Sequence, residues 1–323
     1  MHPAKSVIAF TTSTGAGYGL LIFMIALNML GLLPTDATFA LIGFGLAFAM
    51  ITIGLMVSAL HLGRPERAWR AFTQWRSSWL SREGVLAVIT YGPTGLYGLV
   101  WYVYPQSIGT PFMMAVGLFG ILCCLGTVFC TSMIYASLKA ICTWANPWVP
   151  VSYLLLSLMT GALLCAALAY SFGYSTTVLD ISVLVLLGLG LAVKLVYWKC
   201  MRETTCISTP ETAIGLPTTQ GGMVRLLEAP HTQDNYLLKE MGFVIARKHA
   251  AKLRKISVAT GFILPVFLVW FSSVLDPSIA GYPLMSAVFF CAVGVVVERW
   301  LFFAEAHHVV MMYYGHRPDE FKT

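Results

Sequence analysis

The sequence predicts an all-α integral membrane protein, a bundle of eight transmembrane helices with both termini on the cytoplasmic side. Three observations predict it. Hydrophobic residues make up 58% of the 323 residues and charged residues only 11%, with a mean hydropathy of +0.77. A soluble domain is nearer half apolar and a quarter charged, so most of this surface must face lipid. The apolar residues fall into eight runs, each near the roughly 20 residues that cross a bilayer. Finally, 18 of the 20 Lys and Arg lie in one alternating set of loops and termini.

The runs are 7–33, 37–60, 84–104, 112–138, 150–174, 181–198, 256–275 and 282–304. Lys5 precedes the first run, which is too long for the short core of a cleavable signal peptide and reads as a spanning helix. Residues 84–138 hold no Asp, Glu, Lys or Arg, and Pro105 and Pro111 divide them into two helices. Backbone groups in lipid must be satisfied within the segment, so the runs are helices and not isolated strands.

Charge then sets the sides. The N-terminus, the loops 61–83, 139–149 and 199–255, and the C-terminal tail carry every Lys and Arg except Lys194 and Arg299, which lie inside runs. The opposite loops carry only Asp36, Asp180 and Asp276. Positive residues stay in the cytoplasm, which places the termini and both long loops there. An odd number of crossings would destroy this segregation. The organisation is therefore one transmembrane domain over 1–323, with an interfacial cytoplasmic loop at 62–83 and a long one at 199–255. The net charge of +6 sits beside the membrane and not on a basic face, so no nucleic-acid partner is expected. Of eight cysteines none forms a CxxC pair and most lie in apolar runs, where a thiol is a small hydrophobe; no metal or iron–sulfur site is expected in this sequence.

Three groups of residues could carry chemistry. The segment HLGRPERAWR at 61–70, ending in SREG at 81–84, joins helices 2 and 3. His61 ends one helix and Glu83 starts the next, which can make them neighbours at the membrane boundary. An imidazole, a carboxylate and a guanidinium at that depth suit a quinone, whose reduction takes two electrons and two protons. His61 can hydrogen-bond a carbonyl and pass a proton, Glu83 can relay protons from the cytoplasm, and Arg64 can stabilise developing negative charge. Plainer readings stand beside these: Glu83 is a favourable charge at a helix N-terminus, and interfacial Arg and His are ordinary. Trp69, Phe72, Trp75 and Trp79 recur at a spacing that predicts an interfacial helix; they form an aromatic belt or, for Trp69, a ligand contact.

The second group is 235–255, whose crowded cations at 247–255 suit anionic lipid or a docked cytoplasmic partner. The third is Lys194, which can snorkel towards Lys199, with Glu298 and Arg299, which point about 100° apart and need not pair. Bis-histidine haem ligation finds no histidine in mid-span; His61 with His307 or His308 is the one geometrically conceivable pair. A secondary transporter is the rival of another class, but transporters place polar groups near the midplane and often show inverted repeats. Here the charges sit at one interface and no repeat is visible.

The opening MHPAKSVIAFTTSTGAGYGLL, the HLGRPERAW and SREG pair, and ERWLFFAEA at 298–306 give a resemblance along the whole sequence. The sequence resembles the membrane anchor subunits of the dimethyl sulfoxide reductase type. That resemblance implies an eight-helix, haem-free anchor in the bacterial cytoplasmic membrane that exchanges electrons with ubiquinone or menaquinone. It implies an iron–sulfur electron-transfer subunit and a molybdopterin catalytic subunit as partners. The family's quinol-site histidine and glutamate map by motif onto His61 and Glu83, with Arg64 and Trp69 as adjoining candidates. In dimethyl sulfoxide reductase the catalytic subunits face the periplasm, whereas the charges here put them in the cytoplasm. The segment LLEAPHTQDNYLLKEMGFVIARKHAAKLRK is similar to the anchors of cytoplasmic sulfite dehydrogenases, which implies sulfite oxidation coupled to quinone. The alternative is a quinol-oxidising anchor of an S-oxide or N-oxide reductase.

Overall fold

The computed structural model describes residues 4–59, 62–174, 177–203, 209–216, 224, 226–228, 233, 235, 239, 241, 245–276 and 279–314. Among them are eight helices long and apolar enough to cross a membrane, as the sequence predicts. They are α1 (Lys5–Met29), α2 (Ala37–Ala59), α3 (Trp79–Val103), α4 (Pro111–Ala136), α5 (Trp148–Ser171), α6 (Thr177–Glu203), α7, and α8 (Gly281–Ala304). Helix α7 is continuous through Ile245–Val258, a π-helical turn Ala259–Ile263, and Leu264–Ser273. The π turn has a local cause: Pro265 has no N–H to donate four residues back, and a wider turn accommodates the break. The described residues contain no strand, only one isolated bridge between Ile141 and His308.

Local chemistry sets the ends. Asp36 accepts from Phe39 N (2.7 Å), Ser78 from Ser81 N (3.4 Å) and Thr110 from Met113 N (3.4 Å), which caps α2, α3 and α4. Helices α1 and α5 both stop at a glycine in the left-handed region, Gly31 (φ 68°) and Gly173 (φ 76°). The following residue donates back to the last turn, Leu32 N to Leu27 O and Tyr174 N to Ala169 O, both 2.9 Å.

Helices α1, α5 and α8 are the most buried of the eight, and the others surround them. Side chains such as Leu41, Val88, Leu99, Leu122, Val185 and Phe289 point outward into what must be lipid. Packing inside lipid has no hydrophobic drive, so it relies on small residues and polar contacts. At the α1–α5 crossing, a Cβ on Gly19 or Gly161 would strike the backbone of the other helix. At the α7–α8 crossing a Cβ on Gly294 would likewise strike the backbone at Gly261. Hydroxyls fasten both crossings: Ser157 Oγ donates to Gly15 O (2.6 Å) and Ser257 Oγ to Gly294 O (3.0 Å). Tyr97 Oη donates to Asn28 Oδ1 (2.9 Å), joining α3 to α1.

The loops gather by end as the charge pattern requires. Val309 N donates to Ala140 O (3.1 Å), Asn146 Nδ2 to Cys200 Sγ (3.1 Å) and Asn235 Nδ2 to Tyr314 Oη (2.8 Å). The loop after α4, the end of α6, the long loop and the tail thus share one end. At the other end, Phe39 and Phe172 meet edge to face at 5.5 Å and Tyr170 Oη donates to Asp180 Oδ2 (2.7 Å).

Candidate functional site

Helix α3 starts at Trp79, five residues before the apolar run from which the sequence reading starts it. The capping Ser78 and the apolar pair Trp79 and Leu80 extend the helix through the charged stretch. Glu83 therefore lies inside the helix, about 6 Å past its first residue at 1.5 Å per residue. Glu83 is only 4% exposed, so it is not the solvated N-terminal charge of the plainer reading.

Glu83 forms no ion pair among the described residues. Its partner is the hydroxyl of Thr131 on α4, which donates to Oε1. Thr131 Oγ1 also lies 3.0 Å from the carbonyl of Thr127. A hydroxyl has one proton. With Glu83 ionised, that proton points to the carboxylate; with Glu83 protonated, the carboxyl donates to Oγ1 and the hydroxyl turns to the Thr127 carbonyl. Thr131 thus accommodates both charge states of Glu83 with no other group moving. Deeper along the same pair of helices, the hydroxyls of Thr90 and Thr127 lie 3.3 Å apart.

The segment before α3 is helical, as the aromatic spacing predicts, and takes the 3₁₀ form over Pro65–Gln74. It is tied to α3 by Ser81 Oγ, which donates to Ala71 O, and by Arg82, which donates to Trp75 O (3.0 Å) and Arg76 O (2.7 Å). Arg82 also lies 4.3 Å from the Trp79 ring centroid. Residues 62–77 are exposed throughout. Arg64 and Trp69 therefore sit on the outer surface, with Arg70 over the Trp69 ring at 5.7 Å, and the structure does not bring either of them to Glu83. His61 lies outside the described residues. So does much of 199–255, but the cationic end of the docking candidate is described: it starts α7, where Lys248, Lys252 and Lys255 are exposed and Arg254 is buried.

The intramembrane charges differ most from the sequence reading. Lys194 does not snorkel: it is 1% exposed and its Nζ pairs with Glu298 Oε1. Arg299 Nε pairs with Glu298 Oε2 at 3.3 Å, so the adjacent residues do pair. The reason is burial. Where neither side chain can reach water, a carboxylate draws both cations, and the rotamers bend to suit. Lys194 Nζ lies 4.1 Å from the Tyr197 ring centroid, and the Arg299 guanidinium 3.7 Å from that of Tyr153. An outer pair, Arg254 Nη2 to Glu305 Oε1 at 2.6 Å, closes the end of the bundle. Burial pushes the Glu305 carboxyl above the usual carboxylate range, against the pull of the Arg254 guanidinium. The tail beyond it is also seated: His307 N donates to Thr143 Oγ1 (3.4 Å), and Val310 N donates to His308 Nδ1 (3.3 Å). Burial lowers the pKa of His308.

The sequence reading missed this cluster as a unit. The available signal was depth. Lys194 lies nine residues before the end of α6 and Glu298 six before the end of α8, so helix rise alone puts them at comparable levels.

Comparison with known proteins matches residues 1–305 to the family described as DMSO reductase anchor subunit (DmsC). A sulfite dehydrogenase subunit of Allochromatium vinosum is 32% identical over 327 aligned positions, covering 97% of this sequence and 99% of its own. The anaerobic dimethyl sulfoxide reductase chain YnfH of Escherichia coli is 29% identical over 46% of this sequence and 56% of its own. Another E. coli anaerobic dimethyl sulfoxide reductase polypeptide is 30% identical over 38% of this sequence and 41% of its own. No solved structure matches. The eight spanning helices and the match along nearly the whole length lead to one conclusion: this multi-pass membrane protein belongs to the DMSO reductase anchor subunit family.

Proposed function

We propose that the protein is the quinone-reactive anchor of a molybdopterin and iron–sulfur oxidoreductase in the bacterial inner membrane, passing electrons from sulfite oxidised on a cytoplasmic partner to the quinone pool. The observation that carries the quinone part is Glu83: a carboxyl buried in a spanning helix, with no cation paired to it among the described residues, whose Thr131 partner suits both its protonated and ionised forms. A permanently buried carboxylate with no counter-charge is costly, and a structural role alone does not require one there. The sulfite part rests on the relative from a sulfite dehydrogenase, which aligns end to end, whereas the dimethyl sulfoxide reductase relatives align over less than half of this sequence.

The chemistry balances. Oxidation of sulfite to sulfate with one water releases two electrons and two protons, and reduction of a quinone to its quinol takes up two of each. Quinone chemistry at this site needs a residue that holds a proton beside the ring. The Glu83 carboxyl holds it, and the Thr131 hydroxyl reorients as it leaves. His61 and Arg64 are the remaining candidates for the same work at the interface.

The test uses membranes containing the tagged anchor and its co-purifying subunits. Sulfite-dependent reduction of a soluble quinone analogue supports the reading. Quinol oxidation driven by an S-oxide or N-oxide, with no response to sulfite, keeps the anchor and overturns the direction and substrate. That second reading is favoured by the description of the family, DMSO reductase anchor subunit, and by the partial matches to dimethyl sulfoxide reductase polypeptides.

A further inference from the structure

Two cavities adjoin between α1, α5 and α8. The smaller, about 20 Å³, is the more polar of the two: Thr131, Tyr153, Ser157 and Arg299 are among the residues that line it. The larger, about 160 Å³, is apolar: Met50, Leu163, Leu164 and Val288 contribute to its walls. Thr12, Ala16, Thr160 and Val295 line both, so the two form one continuous cleft. Ala292 and Val296, also in the apolar part, are exposed on the outer surface of α8, which opens the cleft to lipid.

The sizes fit one kind of ligand. A cavity of about 150 Å³ with apolar walls accepts a benzene ring, and a space of some 10–15 Å³ or more takes one water-sized oxygen. The polar end also carries unmet hydrogen-bonding capacity. Arg299 Nη1 and the Tyr153 hydroxyl are buried with no partner but each other among the described residues, the guanidinium lying over the Tyr153 ring. Arg299 is 3% exposed and Tyr153 4%. In the ion cluster two cations share one carboxylate, so one positive charge is left over beside the pocket. The fourth feature is Thr131, which lines the polar pocket and hydrogen-bonds Glu83 behind it.

We propose that the quinone ring occupies the apolar cleft between α1, α2, α5 and α8, with one carbonyl oxygen in the polar pocket at Arg299 and Tyr153 and with Glu83 within reach through Thr131. The inference rests on the quinone reading above and changes the side from which Glu83 is approached. The ring does not come from the exposed 3₁₀ segment that holds Arg64 and Trp69. It enters laterally from the bilayer, and its tail follows the cleft across the membrane middle. Leu164 and Val288 each lie 16 residues from the inner ends of their helices, about 24 Å of helix rise.

The test is photolabelling of the membrane-bound complex with an azido-substituted, short-tailed quinone analogue. Label displaceable by unlabelled quinone is mapped by peptide mass spectrometry. The proposal expects it on 12–16 of α1 or 288–296 of α8. It also expects at least a ten-fold drop in that label in Ala292→Trp, a change on the lipid-facing surface that fills the cleft mouth without entering the bundle core. Displaceable label confined to the 3₁₀ segment or to the facing ends of α2 and α3 overturns this site and leaves the quinone reading standing. No displaceable label anywhere overturns both. Label on α1 or α8 that Ala292→Trp leaves unchanged overturns the lateral route.

Discussion

Glu298 lies between two cations, and its removal should cost far more than the removal of either one. Lys194 Nζ pairs with Oε1 and Arg299 Nε with Oε2, all three side chains being at most 3% exposed. Glu298→Gln leaves two uncompensated positive charges in a space that water does not reach. Breaking a buried pair from one side costs about 3–5 kcal/mol. Lys194→Met has a different balance, because Glu298 and Arg299 remain as a neutral pair. The methionine keeps most of the aliphatic length against Tyr197 and Trp198, as in other volume-conserving exchanges that cost under about 1.5 kcal/mol. The gap of about 2–3 kcal/mol between the variants corresponds to a ratio of roughly 30 to 150 in folded over unfolded protein. Thermal inactivation of the detergent-solubilised protein, followed by the loss of its monodisperse peak in size-exclusion chromatography, reads the order directly. Wild type and Lys194→Met should lie close together, with Glu298→Gln well below both. If Lys194→Met is as damaging as Glu298→Gln, the charge arithmetic of this cluster is wrong.

Other consequences follow from the same geometry. Thr131→Val removes a hydrogen bond to a charged group, worth about 1.5–3 kcal/mol, so quinone turnover should fall about ten-fold or more. Added to Glu83→Gln it should cost nothing further, because both act on one interaction. Gly161→Val drives a side chain into the α1 backbone and should destabilise by about 3 kcal/mol or more, while Gly45→Ala, whose new methyl meets nothing within 4 Å, should be silent in the same thermal assay. The His308 pKa is lowered by burial, so the seated tail favours neutral imidazole. Its contribution is present above the unfolded value near 6.5 and is lost as pH falls below it, because protonation of Nδ1 removes the acceptor for Val310 N. Limited proteolysis of the tail should therefore accelerate as pH falls below about 6.5, and His308→Gln should flatten that dependence.

Much of the architecture was legible because lipid imposes simple rules. Eight long apolar runs can only be helices, and the confinement of Lys and Arg to alternate loops fixes their number parity. The contacts of Ala140 with Val309 and of Asn235 with Tyr314 follow from that parity. Boundaries were less legible. Hydropathy starts helix 3 at residue 84, but helix formation does not require apolar residues, and the Ser78 cap sets the start at Trp79. That shift turns Glu83 from a terminal charge into a buried one. The site was half legible. Glu83 stood out by motif, yet Thr131 is one of two threonines in an uncharged helix and nothing in its own segment marks it. Lys194 and the Glu298–Arg299 pair were visible as charges in apolar runs, but their partnership depends on which helices are neighbours. Periodicity does not show that α5, α6 and α8 meet around Tyr153 and Tyr197.

The central claim is that the buried Glu83 carboxyl handles the proton of quinone chemistry. It is tested most directly by steady-state quinone turnover of the assembled complex in wild type, Glu83→Gln and Glu83→Asp, with assembly checked by co-purification of the partner subunits. General acid–base groups contribute about 10²–10⁴-fold. The account predicts that Glu83→Gln assembles normally and loses at least about 100-fold in quinone turnover, and that Glu83→Asp, which keeps a carboxyl, recovers part of it. Wild-type turnover in an assembled Glu83→Gln complex would contradict the account.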